Sequence, residues 1–378
     1  MDYLLTDEQN QFRDIVRRFV EDKSPGIAVR QQMATDTGYD AAVWQSLSQD
    51  LGLSGIVVPE AYGGQGFSDI ELGIVMEEMG RGLLCSPFFS SSVLSGSAIE
   101  FTGSEDDKQA LLPGIADGSQ RWALAILEPG GDCDITEITT TATPTADGYK
   151  LSGTKGYVID GHGAEQLLVV ARLVGSVGGE GIGAFRVDGD ASGMQRELLN
   201  TIDSSRKQAT VILHNVHGIA VGEPGNVLDG IHKTLQRVFV ALAGEMVGGA
   251  EKMLYSAVEY TSNRRQFGRL IGSFQALKHK CADLLMEVEL ARSAAFTASS
   301  ALAERNEHAS VYASMAKSAA ADAFMHAAAA CIQLHGGIGF TWDHDTHLWY
   351  KRAKTSEVLF GDPYWHREHV VAAWSDEI

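Results

Sequence analysis

Three long stretches, 227–263, 273–305 and 310–335, are rich in alanine and hold few glycines or prolines. Nothing else in the chain restricts the fold as strongly. Segments of this length with so few breakers read as helices, and three or four such helices bury their apolar faces by packing into an antiparallel bundle. The zone before them has a different grain. Short alternating or β-branched runs at 122–127, 139–143, 166–171, 182–187 and 209–214 are punctuated by Gly and Asp. Such spacing predicts an antiparallel β-barrel or sandwich. The first zone is helical again. Phe12, Ile15, Val16, Phe19 and Val20 recur at helical spacing after Thr6, a cap with Glu8 and Gln9 nearby, and 71–84 is a second helical stretch. Between them, the glycines of 51–66 and Pro59 break the helix and make a rigid turn. The expectation is an α+β protein in three parts: an N-terminal α-helical domain (1–118), a middle β-barrel or sandwich (119–226) and a C-terminal four-helix bundle (227–378).

The formal charge of −19 excludes several partners. Such a surface repels nucleic acid and anionic membrane. It also repels any phosphate-bearing ligand, whose site therefore needs local Arg, Lys or helix N-termini. No run approaches the roughly 18 apolar residues that span a bilayer. The start, Met1-Asp2-Tyr3-Leu4-Leu5-Thr6-Asp7-Glu8, is acidic and amphipathic and does not read as a targeting segment, so a cytoplasmic location is expected. Cys85, Cys133, Cys281 and Cys331 are far apart without a CxxC pair and read as reduced thiols. Trp342, His344, His347 and His366 cluster near the end, but their spacing is not that of a zinc site.

Four blocks carry a resemblance. They are Val58-Pro59-Glu60-Ala61-Tyr62-Gly63-Gly64, Leu127-Glu128-Pro129-Gly130, Arg264-Arg265-Gln266-Phe267-Gly268 with Ile271-Gly272-Ser273-Phe274-Gln275, and Gln333-Leu334-His335-Gly336-Gly337-Ile338-Gly339-Phe340. In this order, and over essentially the whole chain, they resemble the acyl-CoA dehydrogenase family, in particular a divergent branch of subunits from mixed α2β2 assemblies in sterol side-chain or dicarboxylate catabolism. The resemblance implies FAD as cofactor, an acyl-CoA substrate, an electron-transfer flavoprotein as acceptor, and a homo- or hetero-oligomer, a tetramer or dimer. It implies that Arg264 pairs with the FAD pyrophosphate of a neighbouring subunit, a contact that suits a planar guanidinium. Phe267 would wall the adenine end, Gln275 and Gln333 would hydrogen-bond the nucleotide, and Gly336 and Gly337 would let the backbone approach the phosphates. The alternative for Arg264 is a solvated charge at a helix end, and for the two glycines a helix C-terminus.

The β zone departs from the family pattern. Leu127 stands where the family has Thr, Asp132-Cys133-Asp134 stands for Gly-Ser-Asp, and Lys155-Gly156-Tyr157-Val158-Ile159-Asp160-Gly161 stands for Lys-x-Trp-Ile-Thr-Asn-Gly. Tyr157 can shield a flavin face as the family Trp does, whereas Ile159 cannot hydrogen-bond the ring edge. Leu127, Cys133 and Tyr157 are thus the candidate flavin contacts of this zone, held through backbone amides or completed by a different subunit.

The family's reaction is α,β-dehydrogenation: a carboxylate removes the α-proton of the thioester and the β-hydride passes to flavin. The usual base lies in a Glu-Gly-Thr near the C-terminus. Here the ungapped match puts Phe360 at that position, in Val358-Leu359-Phe360-Gly361-Asp362. Its backbone N–H can still help polarise the thioester. Some members place the base on the first long bundle helix, and that position is Val238. Seven residues on lies Glu245, on the same helix face, the lone carboxylate of a small-residue tract. Glu245 is the candidate base. Its alternative is a structural Glu paired across the bundle with an Arg. Asp362 is the second candidate, Glu357 a third, and His335 a proton relay or an ordering donor. The functional expectation is an FAD-dependent acyl-CoA dehydrogenase. The alternatives are a non-catalytic or half-site partner subunit of a heterotetramer, and a flavin oxidase or monooxygenase on the same fold. The glycines around Gly244, Gly248 and Gly249 suggest room for a bulky or ring-bearing acyl group.

Overall fold

The computed structural model describes residues 5–130 and 133–375. Helices α1 (Asp7–Lys23), α2 (Gly26–Met33), α3 (Ala41–Gln45), α4 (Asp69–Gly82), α5 (Ser97–Thr102) and α6 (Glu105–Ala116) come first. Seven strands follow: β1 (Trp122–Ala125), β2 (Thr141–Thr145), β3 (Gly148–Ile159), β4 (Gln166–Leu173), β5 (Ile182–Asp188), β6 (Met194–Leu198) and β7 (Gln208–Val221). The chain then forms α7 (Leu228–Asn263), a hairpin of β8 (Arg265–Gln266) and β9 (Arg269–Leu270), α8 (Gln275–Ala303), α9 (Ala309–His335), α10 (Thr346–Val358) and α11 (Pro363–Ser375). The α, β, α order holds, and the three long helices start and stop within two residues of the expected bounds. At the start of α1, Thr6 Oγ1 accepts from the Gln9 N–H at 3.2 Å and the Gln9 side chain accepts from the Thr6 N–H at 3.0 Å, a closed capping box.

The described residues fall into two compact units. One takes its described residues from Met1–Arg30, Asp69–Leu84 and Phe239–Ile378, the other from Gln31–Ser68 and Cys85–Val238. The N-terminal helical zone is therefore shared out: α1 and α4 join the bundle helices in one unit, while α3, α5 and α6 join the strands in the other.

In the second unit, β2, β3, β7, β5 and β4 close into a ring. The sheet is mixed, not wholly antiparallel. β5 occupies one edge of β4, so β1 and β2 share the other, pairing in parallel with 166–169 and 172–173. β6 lies on β7. Alternate residues point inward: Leu167, Val169 and Ala171 of β4 meet Phe185 and Val187 of β5 and Val211 and Leu213 of β7. Each large one stabilises the unit by roughly 1.5–3 kcal/mol. β3 and β6 have no counterpart among the expected strands. β3 contains Gly153, Gly156 and two lysines, and β6 is short and partly exposed, so neither shows clean alternation.

In the first unit, α4 packs on α1 and α8, and α9 packs on α8, α10 and α11. The glycines of α7 are packing contacts. A Cβ on Gly248 would lie 1.8 Å from the Glu77 carbonyl oxygen, and one on Gly249 would lie 2.4 Å from the Phe324 ring. The expected room beside these two residues is filled by α4 and α9. Among the described residues, no helix is long and apolar enough to cross a membrane.

Candidate active site

At one end of the bundle, α7 stops, α8 begins and α9 stops. All six bundle residues expected to hold a dinucleotide are at this end. Arg264 is exposed and fixed by its backbone: its N–H donates to the Tyr260 carbonyl and its carbonyl accepts from Ile271, each at 2.9 Å. Phe267 sits in the β8–β9 turn at φ +54° and is 89% exposed, its ring edge-on to Phe274. Gln275 opens α8, and Gln333 on the last turn of α9 accepts from Lys280 Nζ at 2.6 Å, tying α9 to α8. Gly336 has φ +66°, and a Cβ on Gly336, Gly337 or Gly268 would meet nothing within 4 Å. The backbone there faces open space. A cation, two side-chain amides, bare glycine backbone and an exposed aromatic ring are a donor set that fits a dinucleotide pyrophosphate and its base. In a chain this acidic, Arg265, Arg269, Lys278 and Lys280 also concentrate positive charge here.

The second cluster belongs to the β unit. Glu128 is the hub of the loop after β1. Its carboxylate accepts from the N–H and hydroxyl of Thr139 (2.8 and 2.5 Å), from those of Thr140 (2.8 and 2.5 Å) and from Lys155 Nζ (2.9 Å). Lys155 is fully buried and also donates to the Ile126 carbonyl at 3.0 Å. Burial works against the Glu128 charge, but the Lys155 ammonium and the threonine donors outweigh it and hold the carboxyl down at about 2. For Lys155 burial wins over Glu128, and the ammonium falls to about 8. This lock fixes the loop on β3, where the Gly156 N–H donates to the Leu127 carbonyl at 3.0 Å. Leu127 and Cys133 line a small cavity of about 30 Å³ with Asp134 and Ile138, room for a water and no more. Tyr157 follows on β3 at φ +54°, half exposed, and Ile159 is buried. Asp132 lies outside the described residues. The roles of Glu128 and Lys155 escape the sequence reading. The available signal was a lysine between inward-facing positions of a strand, which needs a buried counter-charge.

The third cluster concerns the base. Glu245 is only 2% exposed and its Oε1 accepts from Arg352 Nη1 at 2.8 Å, with the Ser356 hydroxyl 3.4 Å from Oε2. Arg352, on α10, is equally buried. This is the arrangement expected of the alternative, a Glu paired across the bundle with an Arg: α7 turns Glu245 toward α10, in the bundle interior. Asp362 is also engaged. It caps α11, accepting from the Trp365 N–H at 2.8 Å, and is exposed. Glu357 pairs with Lys354. Phe360 is buried at φ +55° in the turn between α10 and α11. Lys317 of α9, fully buried, holds that turn by donating to the carbonyls of Ser356 (2.9 Å), Glu357 (3.2 Å) and Gly361 (3.2 Å). His335 stacks on Tyr260 and bonds the Cys331 carbonyl, and burial holds it below its ordinary pKa. His347 stacks on Trp342, and His366 lies edge-on to Phe239. Among the described residues, no group of three or more His, Cys, Asp or Glu side chains could hold a metal ion, and all four cysteines carry free thiols.

Known proteins resemble this chain in sequence and fold. The model of the acyl-CoA dehydrogenase N-terminal domain matches residues 6–119, and that of the C-terminal domain matches residues 230–374. The chain is 33% identical to the acyl-CoA dehydrogenase IpdE2 of Mycobacterium tuberculosis over 94% of each chain. It superposes on a variant of the Tcur3481–Tcur3483 steroid ACAD with a TM-score of 0.88 at 29% identity, covering 98% of both chains. It superposes on the ChsE4–ChsE5 complex from Mycobacterium tuberculosis with a TM-score of 0.88 at 25% identity, covering 99% of both. Matched at both helical ends and along nearly its whole length, the chain belongs to the acyl-CoA dehydrogenase family.

Proposed function

We propose that this chain is an FAD-dependent subunit for α,β-dehydrogenation of an acyl-CoA thioester, working as half of a mixed assembly. The observation that carries the reading is the bundle end, where Arg264, Phe267, Gln275, Gln333, Gly336 and Gly337 gather around open glycine backbone. FAD, when bound, would supply the hydride-accepting ring of the reaction. Arg264 would balance the pyrophosphate charge of a neighbouring subunit's FAD, with Gln275 and Gln333 orienting its nucleotide, and the Glu128–Lys155 lock fixes the loop carrying Leu127 and Cys133. The Phe360 N–H, in a turn fixed by Lys317, is available to a thioester oxygen. Relatives described as a steroid ACAD and as a two-component complex support a bulky acyl group and a partner chain. An electron-transfer flavoprotein is the acceptor the family uses.

The half-site reading is favoured over a self-sufficient enzyme by one observation: each carboxylate near the chemistry has another task. Glu245 is paired with Arg352, Asp362 caps a helix, and Phe360 fills the customary position. A partner's carboxylate then takes the α-proton. In the second reading Glu245 leaves Arg352 and acts itself. The test is to purify the chain alone and together with its candidate partner, record the visible spectrum and add acyl-CoA. The expected result is flavin bands and their bleaching only in the mixed preparation. Flavin bleached by acyl-CoA in the isolated chain sinks the half-site reading, and absence of flavin from every preparation sinks the proposal.

A further inference from the structure

A cavity of about 540 Å³ opens within the bundle unit beside Gly244, the one of the α7 glycines Gly244, Gly248 and Gly249 with space next to it. α1, α4, α7 and α8 wall it. Ile70, Ile74 and Phe296 give it an apolar lining. Its floor is bare because Gly73 and Gly244 face each other: a Cβ on Gly244 would lie 3.0 Å from the Gly73 carbonyl oxygen. This is the size range of pockets that enclose a small amphipathic molecule.

The charges at its rim are not matched alike. Arg292 lies among Glu77, Glu251 and Glu289, and next to the cavity Arg17 and Arg81 are matched to Glu78 and Glu251. Arg13 is the exception. Its Nη2 donates to the neutral Asn10 side chain at 2.8 Å, its Nε is buried without an acceptor, and it pairs with no carboxylate among the described residues. Its Nη1 makes no hydrogen bond among the described residues, and a guanidinium with such a donor beside a cavity that has one apolar wall is the head-group half of a carboxylate receptor. In a chain of net charge −19, a cation left without a carboxylate stands out against a surplus of acids.

We propose that this cavity binds an amphipathic monocarboxylate, with its apolar body against Ile70, Ile74 and Phe296 and its carboxylate on Arg13. The other arginines here are committed to glutamates, which leaves the site short of the unpaired cations that a CoA thioester's phosphates need, so its ligand is a free acid. The inference stands independently of the reading of the flavin and thioester sites.

The test is calorimetric titration of the full chain with decanoate and with decanol, repeated on Arg13→Gln, a variant at a half-buried surface position. Melting curves of both proteins establish that the variant is folded. Wild type is expected to bind decanoate more tightly than decanol. Arg13→Gln should lose about tenfold or more in decanoate affinity while decanol affinity holds. Absence of decanoate binding to wild type, or equal affinity of wild type and variant for decanoate, overturns the proposal. So does finding the cavity covered by a partner chain, read as protection of the Arg13 and Ser293 segments from hydrogen exchange on assembly.

Discussion

Two residues test how burial sets chemistry. Glu245 and Arg352 form a buried pair, and removing one partner strands the other charge. Glu245→Gln is expected to cost about 3–5 kcal/mol in urea unfolding, and replacing the pair together by Leu and Met should recover most of that loss. If Glu245→Gln instead keeps its stability and loses only turnover, the carboxylate is the base after all. His366 is the most strongly shifted histidine among the described residues of the bundle. Burial pushes its imidazole down to about 3, with the Lys317 charge adding to the effect. The fold therefore holds it neutral, and below its ordinary value of 6.5 the unfolded chain takes up a proton that the folded one refuses. Stability from this group is complete above pH 6.5 and declines as the pH falls toward 3. Unfolding free energies measured across that window should decline less steeply in His366→Gln. Gly337 tests the dinucleotide site. A Cβ there meets nothing, so Gly337→Val should leave the melting of the flavin-free protein within about 0.5 kcal/mol of wild type. Retained flavin should fall, and undiminished flavin content would remove this glycine from the site.

At the scale of elements, two contacts decide how the helices meet. Lys317 reaches from α9 to three carbonyls, two in the last turn of α10 and one in the turn that follows it. These include orphan carbonyls at the end of α10, where a cation is favourable. Lys317→Met leaves them without that donor. Amide exchange should accelerate selectively around residues 359–366, with the α8 amides unchanged, and uniform acceleration would show a general loss of stability instead. Gly248 sets the approach of α7 to α4. Gly248→Ala drives a methyl into the Glu77 backbone, which a flexible side chain cannot relieve. A loss of about 1–3 kcal/mol is expected by calorimetry. The sequence shows these helices through their length and alanine content, and Thr6 with Gln9 marks the start of α1. It does not tell a glycine that leaves space from one that is filled by a neighbour. Gly337 and Gly248 look alike in sequence and are opposites in the fold, because what a missing Cβ does depends on what lies across from it.

At the scale of the whole chain, the assembly is the property to measure. If a partner supplies the base, the isolated chain with saturating FAD should show no acyl-CoA-dependent flavin bleaching, and adding the partner should restore it. Equal bleaching with and without the partner would return the chemistry to this chain. The sequence by itself determined the α, β, α order, the long bundle helices and the family to which the chain belongs. These are local properties: breaker content, periodicity and the identity of residues at short spacings. Only the tertiary structure decided that α1 and α4 join the bundle unit, that the sheet contains parallel pairs, that Glu128 is locked by Lys155, and that Glu245 faces Arg352 and not an open site. Arg352 is 107 residues away from Glu245 in sequence. A buried charge must find an opposite charge or a donor, but which one it finds is fixed by how distant helices pack.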